Sequence, residues 1–392
     1  MSRYYSYCNT AIQVITGYNG AEPLANFLKK FFAANKKIGS KDRKHITQLC
    51  YCWYRAAHLL PQPVTTDRLA AALFICTQQP TQLLDALAPS FNEVVQQPLA
   101  VKLQQLHIAL PVTAVFPFES ELTEGVDGEL LATSCLQQPD LFIRIRPGYN
   151  ETVIKKLMDA GIVFKPITPN CIALPATTKL DDLLIINKEI VVQDYSSQQT
   201  GSLLQFVKAG NSAIKVWDCC AASGGKSIMA ADIFKQVQLT VSDIRQSILI
   251  NLQHRFETAG IKNYHAFISD LSKTAATLPQ KKQQLIICDA PCSGSGTWSR
   301  TPEQLFYFKP SRIYEYSQLQ KTIALNAAKA LATGGYFLYI TCSVFKEENE
   351  MVVNQLLENT QLQLIKQQLI TGYHIKADSL FAALFVLPAT VA

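Results

Sequence analysis

The sequence predicts an α/β protein in three parts: an N-terminal helical bundle, a small α/β module, and a C-terminal domain built on a parallel sheet covered on both faces. Three observations carry this reading. Near the N-terminus apolar residues recur at three- and four-residue spacing, at Leu24, Phe27, Leu28 and Phe31 and again at Ile46, Leu49, Cys50 and Trp53, the period of an amphipathic helix. At Leu141-Phe-Ile-Arg-Ile-Arg the pattern changes to alternation, the period of a strand. From about residue 200 short apolar runs alternate with helical patterns, the order of crossover units in a parallel sheet. A chain of 392 residues accommodates two or three domains of roughly 100 to 200 residues each, with boundaries expected at 1–138, 139–199 and 200–392.

In the bundle, Pro61, Pro63, Pro80, Pro89 and Pro98 punctuate the second half, so its helices should be short. Between Lys29 and Arg55 stand Lys30, Lys36, Lys37, Lys41, Arg43 and Lys44, with Asp42 as the acid in that stretch. The segment reads either as a solvated face or as a surface that meets the phosphates of a nucleic acid. The net charge of +6 is compatible with a polyanionic partner. Hydrophobic residues make up 48% and charged residues 17% of the chain, against a typical charged share of about 25%, which excludes a disordered composition. No run reaches the roughly 18 apolar residues of a membrane span, and the N-terminal Met1-Ser-Arg-Tyr-Tyr-Ser-Tyr-Cys lacks a secretory core, so a cytoplasmic protein is expected. Eleven cysteines fit neither a disulfide framework nor paired zinc knuckles, and a reducing compartment leaves thiols free for chemistry with no metal expected.

The small module reads as a strand at 141–146, a helix at 151–160, strands at 162–164 and 171–174, a helix near 180–184 and a strand at 190–192. In outline this order is similar to RNA-recognition modules. Five strands follow: Ile214-Lys-Val-Trp-Asp, Gln238-Leu-Thr-Val-Ser-Asp, His265-Ala-Phe-Ile-Ser-Asp, Leu285-Ile-Ile-Cys-Asp and Tyr336-Phe-Leu-Tyr-Ile-Thr. Four end in aspartate, so Asp218, Asp243, Asp270 and Asp289 should face the crevice at the carboxyl ends of the strands, where open α/β sheets bind ligands.

After the first strand, Asp218-Cys-Cys-Ala-Ala-Ser-Gly-Gly-Lys-Ser leads into an apolar helix. Small residues there let a ligand approach the backbone at a helix N-terminus. A Walker A loop requires glycine at the position held by Cys220, and a Gly-x-Gly-x-x-Gly fingerprint is absent. The third reading is an S-adenosylmethionine loop, with the methionine part over Ala221 to Gly225, Asp243 at the ribose and Asp270 at the adenine edge. Two cysteines reach the same crevice: Cys292 in Asp289-Ala-Pro-Cys-Ser-Gly-Ser-Gly-Thr and Cys342 in Thr341-Cys-Ser. A lone cysteine usually packs as a small hydrophobe. Here both lie in polar turns, where a thiolate can add to carbon 6 of a pyrimidine and make carbon 5 nucleophilic, and Asp289 is placed to stabilise the ring at N3.

These motifs, with Arg300-Thr-Pro, Thr341-Cys-Ser-Val-Phe-Lys-Glu-Glu-Asn and Val192-Gln-Asp-Tyr-Ser-Ser-Gln, resemble the Sun/Fmu family of RNA 5-methylcytosine methyltransferases over residues 141–350. The resemblance implies a Rossmann-like S-adenosylmethionine-dependent methyltransferase domain. It implies cofactor binding by Cys220, Ala221, Ala222, Ser223, Gly224, Gly225, Lys226, Asp243, Asp270 and Asp289, with Cys342 as nucleophile and Cys292 assisting product release. Lys37-Ile-Gly-Ser-Lys-Asp-Arg-Lys-His-Ile-Thr, leading to Tyr54-Arg55, looks like the NusB-like helical RNA-binding domain attached to bacterial 16S ribosomal RNA methyltransferases. Ser223 stands where the family usually has proline, Cys219 where it usually has alanine, and Ser379-Leu-Phe-Ala-Ala-Leu replaces a basic glycine-phenylalanine ending. The implied activity is methylation of cytosine carbon 5, most readily in 16S ribosomal RNA. A transfer RNA enzyme and a noncatalytic ribosome-assembly factor are the alternatives.

Overall fold

A computed structural model describes residues 3–210, 212–234 and 236–389. The chain divides into two compact units, one of Met1–Ser120, Asp127–Gln138 and Thr297–Lys309, the other of Glu121–Val126, Pro139–Gly296 and Pro310–Ala392.

The first unit is helical. Helices Arg3–Gly17, Leu24–Ala34, Ser40–Ala56 and Thr66–Cys76 are followed by the short helices Gln82–Leu87, Pro89–Glu93 and Leu99–Gln105 and by Gly128–Cys135. The prolines set these lengths: Pro89 occupies the first turn of its helix and Pro98 immediately precedes another, positions where a missing N–H does no harm. Ile46, Leu49, Cys50 and Trp53 are fully or nearly fully buried, as their spacing predicts.

An addition invisible to sequence periodicity is the segment Thr297–Lys309, carrying the helix Pro302–Tyr307, which packs against Ser40–Ala56. Glu303 Oε1 accepts from Leu24 N at 3.2 Å, and Tyr307 OH donates to Tyr18 O at 2.8 Å. Arg55 is buried in this contact and donates to Gln138 Oε1 and Ser299 O. It is therefore no part of the basic surface expected from the sequence. Lys29, Lys36, Lys37, Lys41 and Lys44 are exposed.

The second unit holds two sheets. The smaller one is formed by β1 (Leu141–Ile145), β2 (Lys165–Thr168), β3 (Cys171–Leu174) and β4 (Ile190–Val192), all antiparallel in the order β2-β3-β1-β4. Two details differ from the sequence reading. The second strand starts at Lys165 rather than Ile162, and residues 180–184 make a single hydrogen-bonded turn instead of a helix. One face packs Ile143, Ile145, Ile172 and Leu174 against Val153 and Leu157 of the helix Asn150–Asp159. The other face, which carries bases in RNA-recognition modules, sets Phe142, Cys171 and Ala173 against Tyr195, Ile375 and Ala377.

The larger sheet comprises β5 (Ile214–Asp218), β6 (Val237–Asp243), β7 (Tyr264–Ile268), β8 (Gln283–Asp289), β9 (Leu331–Thr341), β10 (Gln363–Ile370) and β11 (Leu380–Val386). Its order is β10-β11-β9-β8-β5-β6-β7, parallel from β7 to β9 and antiparallel at β11 and β10. Alternate residues serve opposite faces, as the strand period dictates. Val216, Val241, Ile287, Leu338 and Leu384 pack with Ile228, Leu252 and Phe256, whereas Trp217, Ile286, Phe337, Tyr339 and Phe385 pack with Ala324, Ala327, Val352 and Leu356. Burial on both faces is what a parallel sheet requires. Strand order reverses between β5 and β8, and the crevice at that switch point is where ligands bind in such sheets. Among the described residues, no helix is long and apolar enough to cross a membrane.

Candidate active site

The aspartates Asp218, Asp243 and Asp289 are the last residues of β5, β6 and β8. Asp270 lies two residues beyond β7, and its carboxylate is taken up by its own turn, accepting from Ser272 N and Oγ and facing Lys273. Asp218 is fully buried and accepts from Ser227 Oγ at 2.6 Å through Oδ2. Burial, reinforced by the charge of Asp289 and opposed by the Ser227 bond, raises its carboxyl to about 7.

Between β5 and the helix Gly225–Ile233 the loop makes a tight reversal. Gly224 adopts φ +84°, and a Cβ there would stand 2.7 Å from Phe256 Cε1, so glycine is required both for its backbone and for its lack of a side chain. Ala222, at φ 44°, is held by donating its N–H to Asp243 Oδ2 at 3.0 Å, while Asp243 Oδ1 accepts from Arg245 N and Nε. Ser223, in the place of the family's usual proline, is fixed in another way. Arg255 Nη1 donates to its carbonyl at 2.8 Å and to its hydroxyl at 2.5 Å, and Arg255 Nε donates to Asn187 Oδ1 at 3.0 Å. Fixing a proline-free turn by one guanidinium nitrogen that donates to two oxygens of Ser223 is a long-range device that local sequence does not display.

Lys226, in the first turn of the helix, is nearly buried and donates to Asp289 Oδ2 at 2.9 Å and to Ser197 Oγ at 2.8 Å. Ser197 belongs to the Asp194-Tyr-Ser-Ser motif, whose Asp194 caps the helix Tyr195–Gln199. Two motifs 29 residues apart thus meet at one ammonium group.

Cys292 and Cys342 follow β8 and β9, and their sulfurs lie 3.1 Å apart. The hydrogen bond to Cys342, followed by burial, pushes the Cys292 thiol well above its ordinary range, and either sulfur can be the donor in the contact between them. Gly296 closes the turn against the same strand: its N–H donates to Cys342 O at 3.0 Å, and a Cβ at Gly296 would meet Ser379 O at 1.9 Å. Behind the cysteines, the hydroxyls of Ser293, Ser295 and Ser343 lie 3.1 to 3.3 Å from one another. Glu348, fully buried, accepts from Ser293 N, Gln320 Nε2 and Ser343 Oγ at 2.7 to 2.9 Å. Burial raises its carboxyl. Ser197 and Glu348 stand inside two of the motifs quoted from the sequence, which assigns them no role, whereas Arg255 lies outside every motif and reaches Ser223 across 32 residues.

A separate group of thiols, Cys219, Cys220 and Cys288, has its sulfurs within 4.8 Å of one another, the arrangement among the described residues closest to a metal-ligand set. Cys219 and Cys288 pack in the apolar layer with Trp217 and Leu271, the environment of cysteine as a small hydrophobe.

The fold defines a Rossmann-type α/β protein, with the aspartates, the glycine loop and the two cysteines gathered at the carboxyl ends of its central strands. The family model described as 16S rRNA methyltransferase RsmB/F matches residues 177–390, and the chain belongs to that family. A ribosomal RNA small subunit methyltransferase B of Xanthomonas campestris pv. campestris is 28% identical over 211 residues, which is 53% of this chain and 47% of the relative. The chain spans about half the length of the curated relatives it matches. Among solved structures, that of PH0851 aligns with a TM-score of 0.71 at 19% identity over 98% of this chain and 99% of that one. NSun6 from Pyrococcus horikoshii, solved with SFG, aligns with a TM-score of 0.57 at 16% identity over 66% and 95%. At these identities the two structures show the shared fold alone.

Proposed function

We propose that the chain is an S-adenosylmethionine-dependent methyltransferase that modifies carbon 5 of cytosine in RNA, with 16S ribosomal RNA as substrate, through a covalent adduct on Cys342. The observation that carries this reading is the 3.1 Å approach of the Cys292 and Cys342 sulfurs, beyond the ends of adjacent strands and in the same crevice rim as the Lys226–Asp289 pair. The cofactor fits the residues present: Asp218 Oδ1 is a buried acceptor without a hydrogen-bond partner, suited to a ligand that carries an ammonium group, and Asp243 is suited to ribose hydroxyls. When bound, it supplies an electrophilic methyl group on sulfur.

The protein's own groups divide the remaining work. Cys342 reacts as its thiolate, its proton passing to water, with the Cys292 sulfur 3.1 Å away. The thiolate sulfur bonds to carbon 6, and the electron pair of the 5,6 double bond makes carbon 5 a nucleophile. Asp289 faces N3 and delivers to it the proton that N3 takes up as charge gathers on the ring, recovering that proton when the ring is restored, while the Lys226 ammonium stabilises the charge. After methyl transfer, Cys292, having lost its own proton to water, takes the carbon 5 proton, and cleavage of the bond from sulfur to carbon 6 returns Cys342 as a thiolate and restores the aromatic ring. The domain at 1–138 serves RNA binding through its exposed lysines. Incubation with methyl-labelled S-adenosylmethionine and either 16S ribosomal RNA or transfer RNA, followed by nucleoside mass spectrometry, tests the proposal. It predicts 5-methylcytosine in the ribosomal substrate; label absent from both RNAs would refute it.

A further inference from the structure

We propose that Glu348 is a positioning residue that sets the spacing of Cys292 and Cys342 by binding the residue that follows each cysteine to a single carboxylate. The inference rests on the reading of these cysteines as the reacting pair. Ser293 N donates to Glu348 Oε2 at 2.9 Å, and Ser343 Oγ donates to Glu348 Oε1 at 2.7 Å. Gln320 Nε2 joins them, donating to Oε2 at 2.7 Å and to Pro291 O at 3.0 Å. Cys292 is thus held on both sides, through the carbonyl before it and the amide after it.

The clamp is itself anchored. Tyr339 OH, from β9, donates to the Glu348 carbonyl at 2.7 Å, and Asn349 accepts from Thr341 Oγ1 and donates to Ser343 O. The carboxylate is wholly buried, and the donors that meet it are neutral. A buried acid is tolerated only when such donors replace its lost water. These donors come from the two cysteine turns and from the one side chain that also grips Pro291. A carboxylate serving only the stability of its own loop would not need both turns. Because reacting groups lose rate steeply when displaced by about 1 Å, the tie between the turns acts directly on the sulfur pair.

The test uses the full chain without RNA or cofactor. Diamide, a diazene oxidant, accepts two electrons and two protons as two neighbouring thiols join in a disulfide, and peptide mapping by mass spectrometry follows the Cys292–Cys342 link specifically. Glu348→Ala should slow that link by about tenfold or more. Glu348→Gln retains an acceptor for Ser293 N and an amide that Ser343 Oγ can accept from, so it should slow the link less. Ser343→Ala, which cuts the tie at one turn, should fall between wild type and Glu348→Ala. With RNA and S-adenosylmethionine, kcat should fall in the same order while cofactor affinity is unchanged. Thermal melting establishes which variants are folded. A folded Glu348→Ala, or a folded Ser343→Ala where the former does not fold, that links at the wild-type rate would overturn the proposal. If the link slows in the stated order but the wild type methylates no RNA, the clamp stands and the methyltransferase reading fails.

Discussion

Arg255→Met isolates the bond network that fixes the cofactor loop. Methionine keeps an apolar stem of similar reach but removes the donors to Ser223 O, Ser223 Oγ and Asn187 Oδ1. A hydrogen bond to a charged group contributes about 1.5 to 3 kcal/mol, yet the site is only partly buried, so water recovers much of each. The loop also keeps its own bonds, from Ala221 N to Ser242 O at 2.9 Å and from Gly224 N to Ala221 O at 2.8 Å. A net loss of about 2 kcal/mol for the three bonds together is the reasonable figure, and about 2 kcal/mol corresponds to roughly thirtyfold weaker S-adenosylmethionine binding.

Calorimetry with S-adenosylmethionine measures this directly. Ser223→Ala, which removes one acceptor, should weaken binding by about 1 kcal/mol, roughly fivefold. The double variant should bind no more weakly than Arg255→Met, because the serine hydroxyl loses its donor in either case and contacting residues are not additive. Wild-type affinity in a folded Arg255→Met, or full additivity of the two substitutions, would refute the claim that this guanidinium does the work of the missing proline.

Three further outcomes follow from the same geometry. Gly224→Ala must place a side chain at φ +84° and 2.7 Å from Phe256 Cε1, so it should destabilise the second unit by about 2 kcal/mol or more and abolish measurable cofactor binding, read by chemical denaturation and calorimetry. Asp218 has its folded carboxyl raised from 3.8 to about 7; the folded state keeps a proton the unfolded state has released, so stability falls as pH rises through that window, by at most roughly 4 kcal/mol. Denaturant midpoints of Asp218→Asn should lack that decline, and curves parallel to wild type would show the group is not responsible. Replacing Lys36, Lys37, Lys41 and Lys44 by glutamine should lower RNA affinity and reduce the salt slope by up to about 3, at roughly 0.7 per lost contact with a single strand; an unchanged slope would leave these lysines as a solvated face.

The parts legible in sequence were those with local causes. Strand period and helix period located β5, β6, β7, β8 and β9, and the glycine loop and both cysteine turns announced themselves by residue type within a few positions. β11 was missed because Leu380-Phe-Ala-Ala-Leu-Phe-Val is a continuous apolar run without alternation, the pattern of a strand buried on both faces. β10 was missed for the opposite reason, as an edge strand carrying several exposed polar residues. Asp270 reads as the last residue of the strand His265-Ala-Phe-Ile-Ser-Asp, but β7 stops at Ile268 and the aspartate turns to Ser272. The segment Thr297–Lys309 follows the Cys292 turn in sequence and belongs to the helical unit in space, which no local pattern encodes. Arg255 lies outside every motif and acts 32 residues from Ser223, and Glu348, though inside the motif that follows Cys342, acts on Ser293 55 residues away, a link that only the folded chain reveals.

The central claim is that Cys342 forms the covalent bond and Cys292 assists its release, and a denaturing gel with labelled RNA tests it most directly. With S-adenosylmethionine present, Cys292→Ala should attack and methylate but then stall, leaving a denaturation-resistant band of protein joined to RNA. Cys342→Ala should give neither the shifted band nor methylated product, because without addition at carbon 6 the ring cannot take up the methyl group. A shifted band with Cys342→Ala and none with Cys292→Ala would contradict the assignment and exchange the two roles.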